Sequence, residues 1–196
     1  MFEARSALTA ALQLGGRDGA DGRRLLRLSE LRGWHLLQLG VFAGSQFAQA
    51  AGAVLATPLP QHPQQPLEGK ARVYRIAQDQ YWVVTRDAAL PAQLLAAIAP
   101  EVGTVTTLSH ARVRIRVSGA PARSMLAAVL SVDLHPTQFK IGEALQTGMH
   151  HLPILVERTD ADSYEFYFLR TFAQTLWEWL TDAALQYGYD LEVTQV

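Results

Sequence analysis

The chain has 196 residues, 49% of them hydrophobic and 18% charged, with a formal net charge of −1. A length of this order holds one domain or two small units sharing a core, and a charge this close to zero argues against nucleic acid or an anionic membrane as the main partner. The absence of cysteine removes disulfides, a thiolate nucleophile and Cys-ligated metal centres, and no stretch approaches the roughly 20 apolar residues that span a bilayer.

Residues 1–23 end in GGRDGADGR, a glycine-rich stretch expected to be a flexible lead-in. They carry no apolar core of signal-peptide length, so the chain is expected to be soluble and cytoplasmic. Trp34–Val41 reads as a buried strand and Ser45–Leu55 as a short helix, with Ser45 as its N-cap. Residues 57–69, TPLPQHPQQPLEG, hold four prolines and predict a long exposed loop. Arg72–Ala77 and Tyr81–Thr85 form a hairpin around Gln78–Gln80, the helix LPAQLLAAIA follows, and Val102–Leu108 returns as a strand. The order β-α-β-β-α-β is that of a ferredoxin-like unit.

The pattern then recurs. Arg112–Ser118 alternates strictly, with Val113, Ile115 and Val117 on one face and Arg112, Arg114 and Arg116 on the other. Pro121 sits near the first turn of a helix in ARSMLAAVL. Strands are expected at Ala144–Met149, Ile154–Arg158 and Tyr164–Leu169, a long helix over Phe172–Tyr187, and a closing strand at Tyr189–Val193. The fold class is therefore α+β: two tandem ferredoxin-like (βαββαβ) units with antiparallel sheets, over 24–109 and 110–196. On the closing helix, Phe172, Leu176, Trp179, Leu180, Ala183 and Tyr187 share the apolar face. Trp177 falls at the border of that arc, where a tryptophan either caps the core or anchors a partner.

Chemistry is not advertised. His150 and His151 are adjacent and point apart on a strand, no helix carries metal-ligand spacing, and neither a G-x-S-x-G elbow nor a P-loop is present. No catalytic, cofactor-binding or metal residue is assigned. The charged fraction lies below the roughly 25% usual for soluble domains, which leaves apolar surface for a partner. Lys70 and Lys140 are the only lysines, so the basic residues are nearly all arginine, as partly desolvated ion pairs prefer and as a GC-rich genome also produces. The ridge of Arg112, Arg114 and Arg116 is either a solvated strand face neutralised by its neighbours or a seat for acidic side chains of a partner.

The segments LSELRGWHLLQLG (28–40), VYRIAQDQYWVVT (73–85), LSHAR (108–112), SVDLHP (131–136) and LRTFAQTLWEWL (169–180) together resemble the gamma subunit of bacterial heterotetrameric sarcosine oxidase. That family is similar in turn to the folate-binding domain of the glycine-cleavage T-protein, without its C-terminal barrel. The resemblance implies a non-catalytic subunit with no cofactor of its own, the FAD, FMN, NAD and tetrahydrofolate residing in partner subunits. Its implied partners are the alpha, beta and delta subunits, with Arg112, Arg114, Arg116 and Trp177 as candidate contacts and self-association expected of the isolated chain. T-protein-like chains carry glycines and acidic residues ahead of the last helix, where this sequence reads MHHLPILVERT, so a working folate site is not expected. The alternatives are a free-standing folate-binding protein or T-protein-like one-carbon transferase, and a gamma chain serving a related amine oxidase.

Overall fold

The period of two in RVRIRVS makes Arg112–Ser118 a strand with one fully buried face, Val113, Ile115 and Val117. In the computed structural model, which describes residues 6–9, 11–12 and 15–196, this strand is the middle one of a seven-stranded sheet. Along the chain the strands are β1 (Gly15–Arg17), β2 (Leu26–Arg32), β3 (His35–Val41), β4 (Leu67–Glu68), β5 (Arg72–Ala77), β6 (Gln80–Thr85), β7 (Gly103–Thr107), β8 (Arg112–Ser118), β9 (Ala144–Met149), β10 (Leu152–Asp160), β11 (Ser163–Leu169) and β12 (Tyr189–Gln195). The helices are α1 (Gly44–Leu55), α2 (Leu90–Ala97), α3 (Ala122–Leu126) and α4 (Ala173–Ala184), and 3-10 turns flank the last.

Residues 33–110 form one unit. Its sheet runs β4-β5-β6-β3-β7, every pair antiparallel. Without β4 this is the ferredoxin-like order the sequence predicts. Leu37, Leu39, Val73 and Val83 from the strands meet Phe47, Ala51, Leu55, Leu90 and Leu94 from α1 and α2. A Cβ at Gly103 would lie 2.5 Å from the Phe47 ring, so glycine is what lets β7 pass this close to α1. Ser45 does not cap α1. The Phe42 and Ala43 amides both donate to the Val102 carbonyl, which ties the entry down and starts the helix at Gly44 with Ala43 as its N-cap. The proline loop is tighter than expected. Leu59 is buried, Leu67 and Glu68 pair with β5, and the Arg75 guanidinium donates to the carbonyls of Gln61 and Gln78.

The other unit joins residues 1–32 to 111–195, so its division from the first differs from an even split at 24–109 and 110–196. Its sheet runs β1-β12-β2-β8-β11-β10-β9. In a plain ferredoxin-like unit β12 would lie directly against β8. Here β2 occupies that slot, antiparallel to β8 and parallel to β12, the single parallel pair in an otherwise antiparallel sheet. Its sequence explains the placement: Leu26 and Leu28 face the helix-side core with Val117, and the buried Glu30 carboxylate accepts from Ser6 and Arg32. α3 and α4 cover this face, where Val113, Ile115, Val117, Val156, Phe166 and Phe168 meet Met125, Leu126, Leu176 and Leu180.

The glycine-rich stretch is built in rather than loose over its described residues; residues 1–5, 10, 13 and 14 lie outside them. Leu8 is fully buried and β1 pairs with β12. The Gly19 amide bonds the Arg23 carbonyl, and Arg24 bridges Asp18 at 2.6 Å and Asp190 at 3.0 Å. Gly188 is the pivot of this knot, with φ +67° and a hypothetical Cβ only 2.1 Å from the Arg23 carbonyl oxygen.

Two predictions follow from this packing. Gly22 has φ +73° with nothing within 4 Å of a Cβ, so Gly22→Ala is expected to cost about 1–2 kcal/mol from backbone strain alone. Gly188→Ala adds a backbone overlap and is expected to cost more than about 3 kcal/mol, read as the difference in urea midpoint. Tyr164 is fully buried with a hydroxyl that has no hydrogen-bond partner, beneath the Arg158 guanidinium at 6.0 Å. Burial pushes its phenol above the ordinary tyrosine value, against a smaller pull from Arg158 and Arg123. A raised folded-state pKa means stability that is intact below the ordinary tyrosine range and lost as pH rises through the folded value. Tyr164→Phe is expected to abolish that alkaline loss and to leave neutral-pH stability unchanged or about 1 kcal/mol higher.

Candidate functional site

The strand pattern places the arginine ridge on the sheet face opposite α3 and α4, and there the sheet supplies its own counter-charge. In the β8–β11 register Glu165 lies directly across from Arg116, with Arg114 on the diagonal. One carboxylate oxygen of Glu165 takes Arg114, from Nε at 2.8 Å and Nη2 at 2.6 Å. The other takes Arg116, from Nε at 3.0 Å and Nη2 at 2.6 Å. Glu165 is 2% exposed, while the Arg114 and Arg116 side chains keep 14% and 35%. The Arg114 guanidinium also sits 5.2 Å from the Tyr167 ring centroid. Arg112 is half-buried and donates to the Ala111 carbonyl, and burial pulls its guanidinium below the ordinary arginine value. The three arginines thus share a face, but two of them grip one internal carboxylate. Glu165 was legible as a strand residue and missed as a partner because its pairing depends on register between distant strands.

α4 is rotated from the orientation that the sequence suggests. Ala173, Leu176, Trp177, Leu180 and Ala184 are its buried face, and Trp177 is only 2% exposed, packed in the core. Trp177, read as either capping the core or anchoring a partner, lies in the core, while Trp179, read as a core residue, is only partly buried against it. Both stripes are apolar at helical spacing, and the choice between them is made by what each meets. Trp179 is partly buried against the core's edge, where the hairpin joining β9 to β10 presents His150 and His151 to it, with ring centroids 4.5 and 5.7 Å away at steep angles. His150 holds φ +50° in that two-residue turn, a position that usually falls to glycine or asparagine.

Among the described residues no three His, Cys, Asp or Glu side chains cluster in a way that could hold a metal ion. Asp133 has the local use expected of it, accepting the His135 amide at 2.8 Å. No helix of the described residues is long and apolar enough to cross a membrane. A trough does open beside α4, with a cavity of about 490 Å³ lined by Arg17, Gln174, Trp177, Glu178, Thr181 and Tyr189 among others.

The Arg114–Glu165–Arg116 triplet makes a ranked prediction. Glu165→Gln leaves a guanidinium pair facing each other without the charge that binds both, and is expected to cost about 3–5 kcal/mol. Arg114→Ala should cost less, and Arg116→Ala least, because solvent screens the more exposed partner; a reversed ranking in chemical denaturation would remove Glu165 as the anchor of this face.

Comparison with known proteins agrees with this architecture. Residues 39–186 match the family described as "Sarcosine oxidase, gamma subunit family". The chain is 31% identical over 157 residues to the sarcosine oxidase subunit gamma of Corynebacterium sp. (strain P-1), covering 77% of each chain, and equally so to that of an Arthrobacter species. Among solved structures it is similar to a chain of the heterotetrameric sarcosine oxidase from Corynebacterium sp. U-96, with a TM-score of 0.83 and 26% identity over 93% of this chain and 95% of that one. It also shares the fold of the glycine cleavage system aminomethyltransferase T from Bartonella henselae, with a TM-score of 0.59 at 16% identity over 89% of this chain and 48% of that one. Matched along most of its length, this doubled ferredoxin-like chain belongs to the sarcosine oxidase gamma subunit family.

Proposed function

We propose that this chain is a non-catalytic subunit of a heterotetrameric sarcosine oxidase, an enzyme that oxidatively demethylates sarcosine to glycine with folate-linked one-carbon transfer. Its work in this reading is assembly and stabilisation of the complex in the cytoplasm. The observation that carries the proposal is the likeness to one chain of a solved heterotetramer, which runs over 93% of this chain and 95% of that one. The alpha, beta and delta subunits are then its partners, and FAD, FMN, NAD and tetrahydrofolate are held by them.

The internal bonding of the site supports a scaffold role. Glu165 engages Arg114 and Arg116, and Trp177 belongs to the core. Of the residues expected to meet a partner, Arg116 keeps more freedom to do so than Arg114, since its side chain remains 35% exposed while bonded, against 14%. The fold shared with the aminomethyltransferase favours a second reading, a free-standing folate-binding protein or T-protein-like one-carbon transferase. Fold alone is weak ground for that.

Affinity capture of the tagged chain from its native cell is expected to recover a flavoprotein oxidase together with it. Purified alone, the chain is expected to be colourless and to give no heat with tetrahydrofolate in calorimetry. A flavin-loaded preparation of the isolated chain overturns the proposal, and micromolar tetrahydrofolate binding by the chain alone favours the second reading.

A further inference from the structure

Charge is spread unevenly along this chain. Residues 33–110 hold only four of its 17 lysines and arginines and four of its 18 acidic residues. None of these falls in 33–67 or 88–100. α1 and α2 lie wholly inside those two runs, so the helices that cover one face of the β4-β5-β6-β3-β7 sheet carry no formal charge. Their inner positions are accounted for by Phe47, Ala51, Leu55, Leu90 and Leu94 in the core. Their outer positions are exposed and hold alanine, glycine, serine and glutamine, together with Leu95, which is 64% exposed. Phe42, just ahead of the α1 N-cap, is 66% exposed.

A helix on the surface of a soluble protein ordinarily sets charged residues opposite its buried stripe. α4 does so with Glu178 and Asp182, and α3 with Arg123, all exposed. Helices without such a face are those buried in a larger body, and the cores of protein interfaces are likewise depleted of charge. The missing charge also states what can cover the layer. A carboxylate, lysine or arginine of a partner set against α1 and α2 would lose its water and find no counter-ion on them, which is strongly unfavourable. Gln46, Gln49 and Gln93 carry amides that both donate and accept, so neutral amides, hydroxyls and carbonyls can meet them without leaving a charge unpaired. A second copy of this chain has that chemistry too. In an assembly with alpha, beta and delta subunits, however, each chain is present once, and the layer is left to a different subunit.

We propose that the α1–α2 layer is the surface by which this chain docks on a partner subunit, and that the partner's matching surface is apolar and uncharged. The inference rests on the reading of the chain as a sarcosine oxidase subunit and names the face through which it assembles. It is tested with the tagged full-length chain co-expressed with the alpha, beta and delta subunits of its own organism, reading the flavin absorbance captured per chain. Wild type is expected to keep its flavoprotein through a wash in about 1 M sodium chloride, because salt does not screen an uncharged contact. Gln49→Glu and Leu95→Glu alter exposed positions. Both are expected to keep the wild-type urea midpoint and to bind the flavoprotein at least about tenfold more weakly. Thr175→Glu puts the same charge on the exposed side of α4 and is expected to bind as wild type does. Wild-type capture by Gln49→Glu and Leu95→Glu overturns the proposal and leaves the subunit assignment standing, as does an equal loss in Thr175→Glu. If the two variants instead abolish only a dimer of the isolated chain, the layer belongs to a second copy and the proposal falls. Wild type that captures no flavoprotein brings down the subunit assignment, and this inference with it.

Discussion

One strand holds the larger unit together: β2, hydrogen-bonded on both sides, to β8 in antiparallel and to β12 in parallel register. Without it the unit has no continuous sheet, because β12 and β8 are not neighbours. Its side chains fit it for a central place, with Leu26 and Leu28 in the core and the Glu30 carboxylate satisfied by Ser6 and Arg32. Several features described separately are consequences. β12 is displaced outward, β1 can then pair with its free edge, and the glycine knot at Gly19 and Gly188 closes the corner this creates.

The polar organisation follows the same economy of internal satisfaction. Glu165 binds two arginines, and the buried Arg158 donates to the carbonyls of Phe139 and Ala161 at 2.8 Å each. Burying such groups is tolerable only when each is bonded. Arginines and carboxylates paired this way tie neighbouring strands into register.

Local pattern was legible where it was strong. The alternation in β8, the β5–β6 hairpin and the start of α2 all follow from residues within a few positions of one another. What failed depended on distant partners. GGRDGADGR reads as flexible because glycine lowers every local propensity, and its order comes from backbone fitted against residues 186–188. Which of Trp177 and Trp179 lies deeper was undecidable from an arc that is apolar over more than half its width; Trp179 meets the histidine turn at the core's edge. Residues 26–32 are not read as a strand from the sequence and fall inside the 24–109 unit, since LRLSELR carries no mark of which sheet it joins. The arginine ridge was correctly read as one face, and its counter-ion waited on the register of β11.

The interruption of one unit by the other bears on how the chain is made. Synthesis completes residues 33–110 while β2 is already outside the ribosome and neither of its neighbours yet exists. Domains generally fold as units in order of emergence. The inserted unit can therefore collapse early, whereas β2 must remain unpaired until β8, and finally the last seven-residue strand β12, has been translated. Nascent chains of this protein carry their greatest aggregation hazard in that interval, and a truncation that spares every residue before β12 would still leave β2 with one open edge.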